Sequence, residues 1–155
     1  SNIHPQFLFI TDGYNLRSTE LNAVLGISQL KRLDNIVDRR RKNFQEFVNV
    51  IDNYQQKFYP VKWQDGNSNY ALPFICRSPE ITHNIKKLFE QHQVEHRPIV
   101  GGNLLRQPFL QDYTFGTQRI SYNVDLLHDN GVYIGNNQYI NSMDLKWLAN
   151  LLEKL

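Results

Sequence analysis

The chain has a single cysteine, Cys76, and a single methionine. That excludes an internal disulfide and any cysteine-rich zinc site, and it fits a reducing compartment. An excess of charge of one sign is missing too: 17 basic side chains face 15 acidic ones, leaving a formal net charge of +2. So small an excess gives no ground of its own for nucleic-acid binding. No apolar run is long enough to cross a bilayer, and no charged-then-apolar leader opens the sequence. A cytoplasmic protein with no membrane partner is the expectation. There is no internal repeat and no low-complexity tract. What remains is 155 residues, 41% hydrophobic and 12% aromatic, enough for one sizeable core. The abrupt start at Ser1-Asn2 suggests a piece cut from a longer protein.

The stretch from Gly13 to Leu21 and the helical pattern it opens dominate the first third. Either Ser18 or Thr19 can cap a helix by accepting a bond from a free backbone N–H. Glu20 follows in the first turn, where the helix dipole favours negative charge. A proline-free helical pattern then extends to about Phe58. Its first part, through Leu21, Ala23, Val24, Leu25, Ile27 and Leu30, is apolar nearly all round, as in helices buried on every side. Beyond a break or kink at Leu33-Asp34, where Asp34 is a candidate cap, the pattern narrows to a stripe through Ile36, Val37, Phe44, Phe47, Val48, Ile51 and Tyr54.

Strands and shorter helices follow. Phe58–Trp63 reads as a strand, Asp65–Asn69 as a turn, and Tyr70–Arg77 as a strand in which Pro73 marks an edge or a bulge. Ser78 caps a helix with Pro79 at its first position. Val94–Val100 returns as a strand, Gly101–Asn103 is a loop, and Leu104–Tyr113 is short helix or irregular. Ile120–His128 is a helix stopped at Asn130-Gly131, Val132–Ile134 a strand, and Asn141 or Ser142 caps the last helix. The predicted class is α/β (α+β), with a small sheet of three or four strands. The expected division is residues 1–17 as linker and loop, 18–58 as a long helical segment, and 59–155 as the small sheet with its helices.

Candidate chemistry is sparse. His92-Gln93-Val94-Glu95-His96 spells a zinc-peptidase motif, which needs both histidines on one helical face. Pro98 and the helix end near Gln91 place the two on different elements, so no metal site is expected. Six basic residues between Lys31 and Lys42 are interleaved with Asp34 and Asp38, as on a solvated or subunit-facing surface. A regulatory or nucleic-acid-binding module using this face is the alternative of another class. Gly101-Gly102-Asn103, with Arg97 and Arg106 nearby, offers backbone amides and guanidinium forks to an anion. Tyr14, Asn15 and Arg17 form a similar polar group ahead of a helix start.

The segment Gly13-Tyr14-Asn15-Leu16-Arg17-Ser18-Thr19-Glu20-Leu21, with Gln29–Leu33 and Arg39-Arg40-Arg41, resembles the DegT-type sugar-nucleotide aminotransferase family. Glu95–Val100, Gly102–Pro108 and Gly131–Asn136 are similar to its 3-dehydratase branch, which acts on 4-keto-6-deoxy sugar nucleotides in lipopolysaccharide dideoxysugar synthesis. The resemblance runs from about Ile3 to Leu155. It implies the C-terminal small domain of an aspartate-aminotransferase-like fold, with pyridoxal 5'-phosphate or pyridoxamine 5'-phosphate as cofactor of the whole enzyme. Within this chain it implies no catalytic base, because the family's lysine, or the histidine of dehydratases, lies upstream. Asn15 takes the role of reaching the cofactor phosphate of a second subunit. Arg17 and Tyr14, with His96, Arg97, Asn103 and Arg106, match positions that face or close over the substrate. His96 stands where a threonine, cysteine or tyrosine is expected. The implied partners are the enzyme's own large domain, a second subunit, a nucleotide sugar and glutamate. The apolar first helix, covered by those partners in a homodimer, is expected to be exposed here, and the chain alone to be inactive.

Overall fold

Thr19, in extended conformation, caps the first helix: its hydroxyl accepts from the Asn22 N–H. This is one of the two expected caps. The computed structural model describes residues 18–99, 102–106 and 121–155, and its contacts divide the chain into two units, 1–33 and 34–155. In the first unit, α1 (Glu20–Leu30) has no buried residue.

The second unit builds the core. The expected break falls two residues earlier, at Lys31-Arg32, and the helical pattern ends at Asp52 rather than near Phe58; α2 (Leu33–Asp52) carries Asp34 in its first turn rather than as its cap. The apolar stripe of α2 turns Phe44, Phe47 and Ile51 inward. Phe58–Trp63 is not a strand either. Phe58 forms an isolated bridge with Cys76, and Pro60, which has no N–H to donate, stops the pairing from extending.

Among the described residues three strands make an antiparallel sheet in the order β1-β3-β2: β1 (Ala71–Ile75), β2 (His96–Pro98) and β3 (Gly131–Gly135). β1 is an edge strand, where Pro73 costs no ladder bond on its outer side. β2 is shorter than expected. Between β1 and β2 lies α3 (Pro79–Gln91), whose cap Ser78 accepts from the Ile81 N–H, with Pro79 at the first position as expected. A short 3-10 turn, Leu104–Arg106, follows β2. α4 (Tyr122–Asn130) leads into β3, and α5 (Ser142–Leu152) closes the chain behind an Asn141/Asp144 capping box.

Alternation along the strands separates two faces. Leu72, Phe74 and Val132 are buried, and the same cluster takes Ile85 and Phe89 from α3 and Leu145, Leu148, Leu151 and Leu152 from α5. Phe74 is its centre, edge-on to Phe47 at 5.1 Å, Phe89 at 5.4 Å and Phe58 at 5.5 Å. Truncating so fully enclosed a ring costs about 3–5 kcal/mol. The other face carries Ala71, Pro73 and Tyr133, none of them fully buried.

Candidate functional site

One row of residues crosses the open face of the sheet. Pro73 of β1 pairs with Tyr133 of β3, which pairs with Arg97 of β2. The period of two that buries Leu72, Phe74 and Val132 dictates this row: their strand neighbours must point the other way. Tyr70, just ahead of β1, sets its ring edge-on to Tyr133, 6.0 Å between centroids at 82°. Glu95 precedes Arg97 by two residues, and its Oε1 accepts from Arg97 Nη2 at 2.7 Å and Nε at 3.2 Å.

Two clefts open here. One, of about 270 Å³, is lined by Tyr70, Glu95, Arg97, Tyr133 and Gly135. The other, of about 380 Å³, is lined by Asn69, Tyr70, Ala71, Pro73, Ile99 and Tyr133. The two tyrosines form the ridge between a charged end and an apolar end. The Glu95 hydrogen bond, then its charge, raise the Arg97 pKa further above its already high value. Arg97 therefore stays a cation, and its planar fork has N–H donors beyond the two that Glu95 engages. Chemically, this face can hold an oxyanion or a hydroxyl at Arg97 and Glu95 and an apolar ring edge against the tyrosines.

Of the residues singled out from the sequence, Arg97 alone among those described lies in these clefts. His96 belongs to the opposite face, its ring 5.8 Å from that of Phe89 and its Nδ1 3.3 Å from the Val94 carbonyl. Because a carbonyl only accepts, Nδ1 carries the hydrogen there. Asn103 and Arg106 are brought together, but on α4. The Asn103 N–H donates to His128 Nδ1 at 3.0 Å, and its Nδ2 to Asp125 Oδ1 at 2.8 Å. Arg106 Nη1 reaches Asp129 at 2.9 Å and Asp125 at 3.5 Å. Tyr14, Asn15 and Arg17 lie outside the described residues.

His92 ends α3 and His96 sits on β2, so the zinc spelling is split as expected. Among the described residues no group of histidine, cysteine and carboxylate side chains could hold a metal ion. Tyr70, Tyr133 and Glu95 were missed as site residues. Applying strand alternation outward from Arg97 would have flagged Glu95 on the same face, and alternation from Val132 would have flagged Tyr133.

Residues 3–142 match the model of the DegT/DnrJ/EryC1/StrS aminotransferase family. Two curated relatives are GDP-4-keto-6-deoxy-D-mannose 3-dehydratases. The chain is 30% identical to that of Yersinia pseudotuberculosis over 96% of its own length, and 28% identical to that of Escherichia coli O55:H7 over 95%. It spans 38% of each relative's length. A solved GDP-4-keto-6-deoxymannose-3-dehydratase with a trapped PLP-glutamate geminal diamine superposes with a TM-score of 0.79 at 29% identity, over 95% of this chain and 39% of that one.

Proposed function

The chain belongs to the DegT/DnrJ/EryC1/StrS aminotransferase family, and from that premise we propose that it is the C-terminal small domain of an enzyme that removes the C3 hydroxyl of a 4-keto-6-deoxy sugar nucleotide. The observation that carries the reading is the Arg97–Tyr133–Pro73 row on a sheet face that no other described element covers, in a chain similar along nearly its whole length to two 3-dehydratases. Transamination of a sugar nucleotide is the second reading, favoured by the family to which the chain belongs.

Pyridoxal or pyridoxamine phosphate supplies the electron sink for such chemistry when bound. The open face does not fit that group. Among the described residues its clefts present a guanidinium, a carboxylate and two phenols, but no amine to take an aldehyde. These residues fit a substrate instead, and the cofactor falls to other parts of the enzyme. Asn15, reaching the cofactor phosphate of a second subunit, is the one cofactor contact proposed within the chain. Arg17 and Tyr14 are proposed to face the substrate from the same loop.

In this reading the domain binds and orients. Arg97 donates to a sugar or phosphate oxygen, while Glu95 fixes the fork and accepts from a hydroxyl. The partners are the enzyme's large domain, a second subunit, the nucleotide sugar and glutamate, and the compartment is the cytoplasm. No helix among the described residues is long and apolar enough to cross a membrane.

Steady-state kinetics and product analysis on the enzyme that carries this chain test the proposal. A hydrogen bond to a charged group is worth roughly 1.5–3 kcal/mol, so Arg97→Ala should raise KM for the nucleotide sugar about 10- to 150-fold. Asn15→Ala should weaken cofactor retention by a similar factor. An unchanged KM removes Arg97 from the site. A 4-amino sugar as product replaces dehydration by transamination.

A further inference from the structure

We propose that a third cleft, between α5 and the end of β2, is a separate binding site for a small organic cation: an ammonium group carried on one apolar ring. It lies on the other side of the sheet from the face read as the sugar-nucleotide site, and it does not rest on that reading.

α5 sets the chemistry of this cleft. Trp147 follows Asp144 by three residues and Leu148 follows it by four, so carboxylate, indole and leucine share one strip of the helix. With Leu145 they form one wall of a space of about 370 Å³. Leu72, Val94, Ile134 and Ile140 supply apolar surface opposite. Leu72 and Ile134 are a registered pair one step from Pro73 and Tyr133, and alternation turns them to the α5 side. The opening falls where the sheet stops, since the last β2–β3 pair at this end is His96 with Ile134.

Charge decides the occupant. Among the described residues that line the cleft two are charged, and both are acidic. Glu95 already holds Arg97 through its side chain, at 2.7 Å. Asp144 has no such cation: its Oδ2 accepts from the Asn141 N–H at 2.9 Å, and the ion pairs among the described residues are those of Glu95, Asp125 and Asp129. Asn137 is polar as well, but its Oδ1 accepts from the Tyr139 N–H at 2.8 Å and its carbonyl from Asn43 Nδ2 at 3.2 Å. One uncompensated negative charge thus stands beside an indole that is 47% exposed. A carboxylate and the negative face of an indole both attract an ammonium group, and the apolar wall takes the ring that carries it. A phosphate would meet like charge here, so the cleft is no extension of a nucleotide site. Its volume is near the roughly 300 Å³ lower end of small-molecule pockets, room for a single ring.

Ligand-observed NMR titration of the enzyme that carries this chain tests the site. The probes are benzyltrimethylammonium, which cannot condense with an aldehyde, the neutral benzyl alcohol and the anionic phenylacetate. The cation should saturate with a dissociation constant of about 10 mM or tighter. It should bind about 3- to 20-fold more tightly than the alcohol, and phenylacetate should not saturate over the same range. Asp144→Asn keeps an oxygen for the Asn141 N–H; it should weaken the cation about 2- to 5-fold and leave the alcohol unchanged. Trp147→Ala should weaken the cation by at least about twofold. GDP should not displace it. A cation that does not saturate overturns the proposal, as do equal affinities for the three probes or displacement by GDP. If Asp144→Asn unfolds the last helix, Trp147→Ala reads the same wall, and undiminished binding in either folded variant overturns the assignment. An unchanged KM in Arg97→Ala removes the sugar-nucleotide reading of the opposite face and leaves this site standing.

Discussion

Nδ2 of Asn43 donates to Oδ1 of Asn136 across 3.1 Å, joining the middle of α2 to the residue that follows β3. Both side chains are only 2% exposed. The Asn136 amide in turn donates to the carbonyls of Arg40 at 3.0 Å and Asn69 at 2.8 Å, while its backbone N–H reaches the Tyr70 carbonyl at 2.7 Å. One buried amide therefore ties α2, the end of β3 and the approach to β1, and it fixes the backbone that carries Tyr70. Each buried group left without a partner costs about 1–3 kcal/mol. Asn136→Ala should lower stability by about 2–4 kcal/mol and Asn43→Ala by about 1–3. Urea unfolding of the two variants and the pair should show a coupling of about 0.5–3 kcal/mol. Additive losses would mean that the amides do not act together.

The loop after β2 hangs on a glycine. Gly102 has φ +52, and a Cβ there would run into the His128 imidazole, whose Nδ1 accepts from the next amide. Gly102→Ala should therefore cost more than the roughly 1 kcal/mol of the left-handed backbone alone, about 1–3 kcal/mol in denaturant unfolding. Arg106→Ala tests the opposite case. Its bonds to Asp125 and Asp129 join side chains that are 38–52% exposed, so the loss should stay below about 1 kcal/mol. A larger effect at Arg106 than at Gly102 would reverse this account of the loop.

Cys76 sits fully buried beside Thr82, and burial raises its thiol pKa. The folded state thus favours the neutral thiol more than the unfolded chain does. The associated stability is complete below the ordinary thiol range. It is lost as pH rises through that range toward the raised folded value, because the unfolded chain then releases a proton that the folded chain keeps. Between those values stability should fall with pH by up to about 1.4 kcal/mol per unit. Cys76→Ala should flatten this alkaline slope, measured by urea unfolding between pH 8 and 10, taken as about the free thiol range. An unchanged slope would assign the loss to other groups.

Local chemistry was the legible part of the fold. Ser78-Pro79 and the Asn130-Gly131 stop each specify a terminus through groups within a few residues, and both stand; of the two caps offered for the last helix, Asn141 rather than Ser142 is the one used. Phe58–Trp63 was read as a strand because its composition suits one, but whether it pairs depends on a partner 18 residues away and on where Pro60 falls against it. The break at Lys31-Arg32 has no proline or glycine to announce it. At the site, Arg97 was visible as a residue type, whereas its company was not. Asn103 and Arg106 looked like ligand donors until the fold supplied Asp125, His128 and Asp129 from α4. His96 and Arg97 are neighbours in sequence, and only the strand geometry assigns them to opposite faces.

The last prediction concerns α1. Leu21, Val24, Leu25, Ile27 and Leu30 are each more than half exposed on a helix of 11 residues with nothing buried. Fully covering one such side chain is worth about 1.5–3 kcal/mol. Covering the face therefore offers several kcal/mol against the cost of association, which is of similar size. The isolated chain should self-associate in a concentration-dependent way and bind an apolar dye. Leu21→Glu with Leu25→Lys removes two of the side chains and replaces them with an i,i+4 ion pair of strong helix formers, so the helix itself is not weakened. That double variant should sediment as a monomer under conditions where the wild type does not, with reduced dye fluorescence and unchanged far-UV circular dichroism. A wild-type chain that stays monomeric across a roughly hundredfold concentration range would show that the exposed face is too small to drive contact.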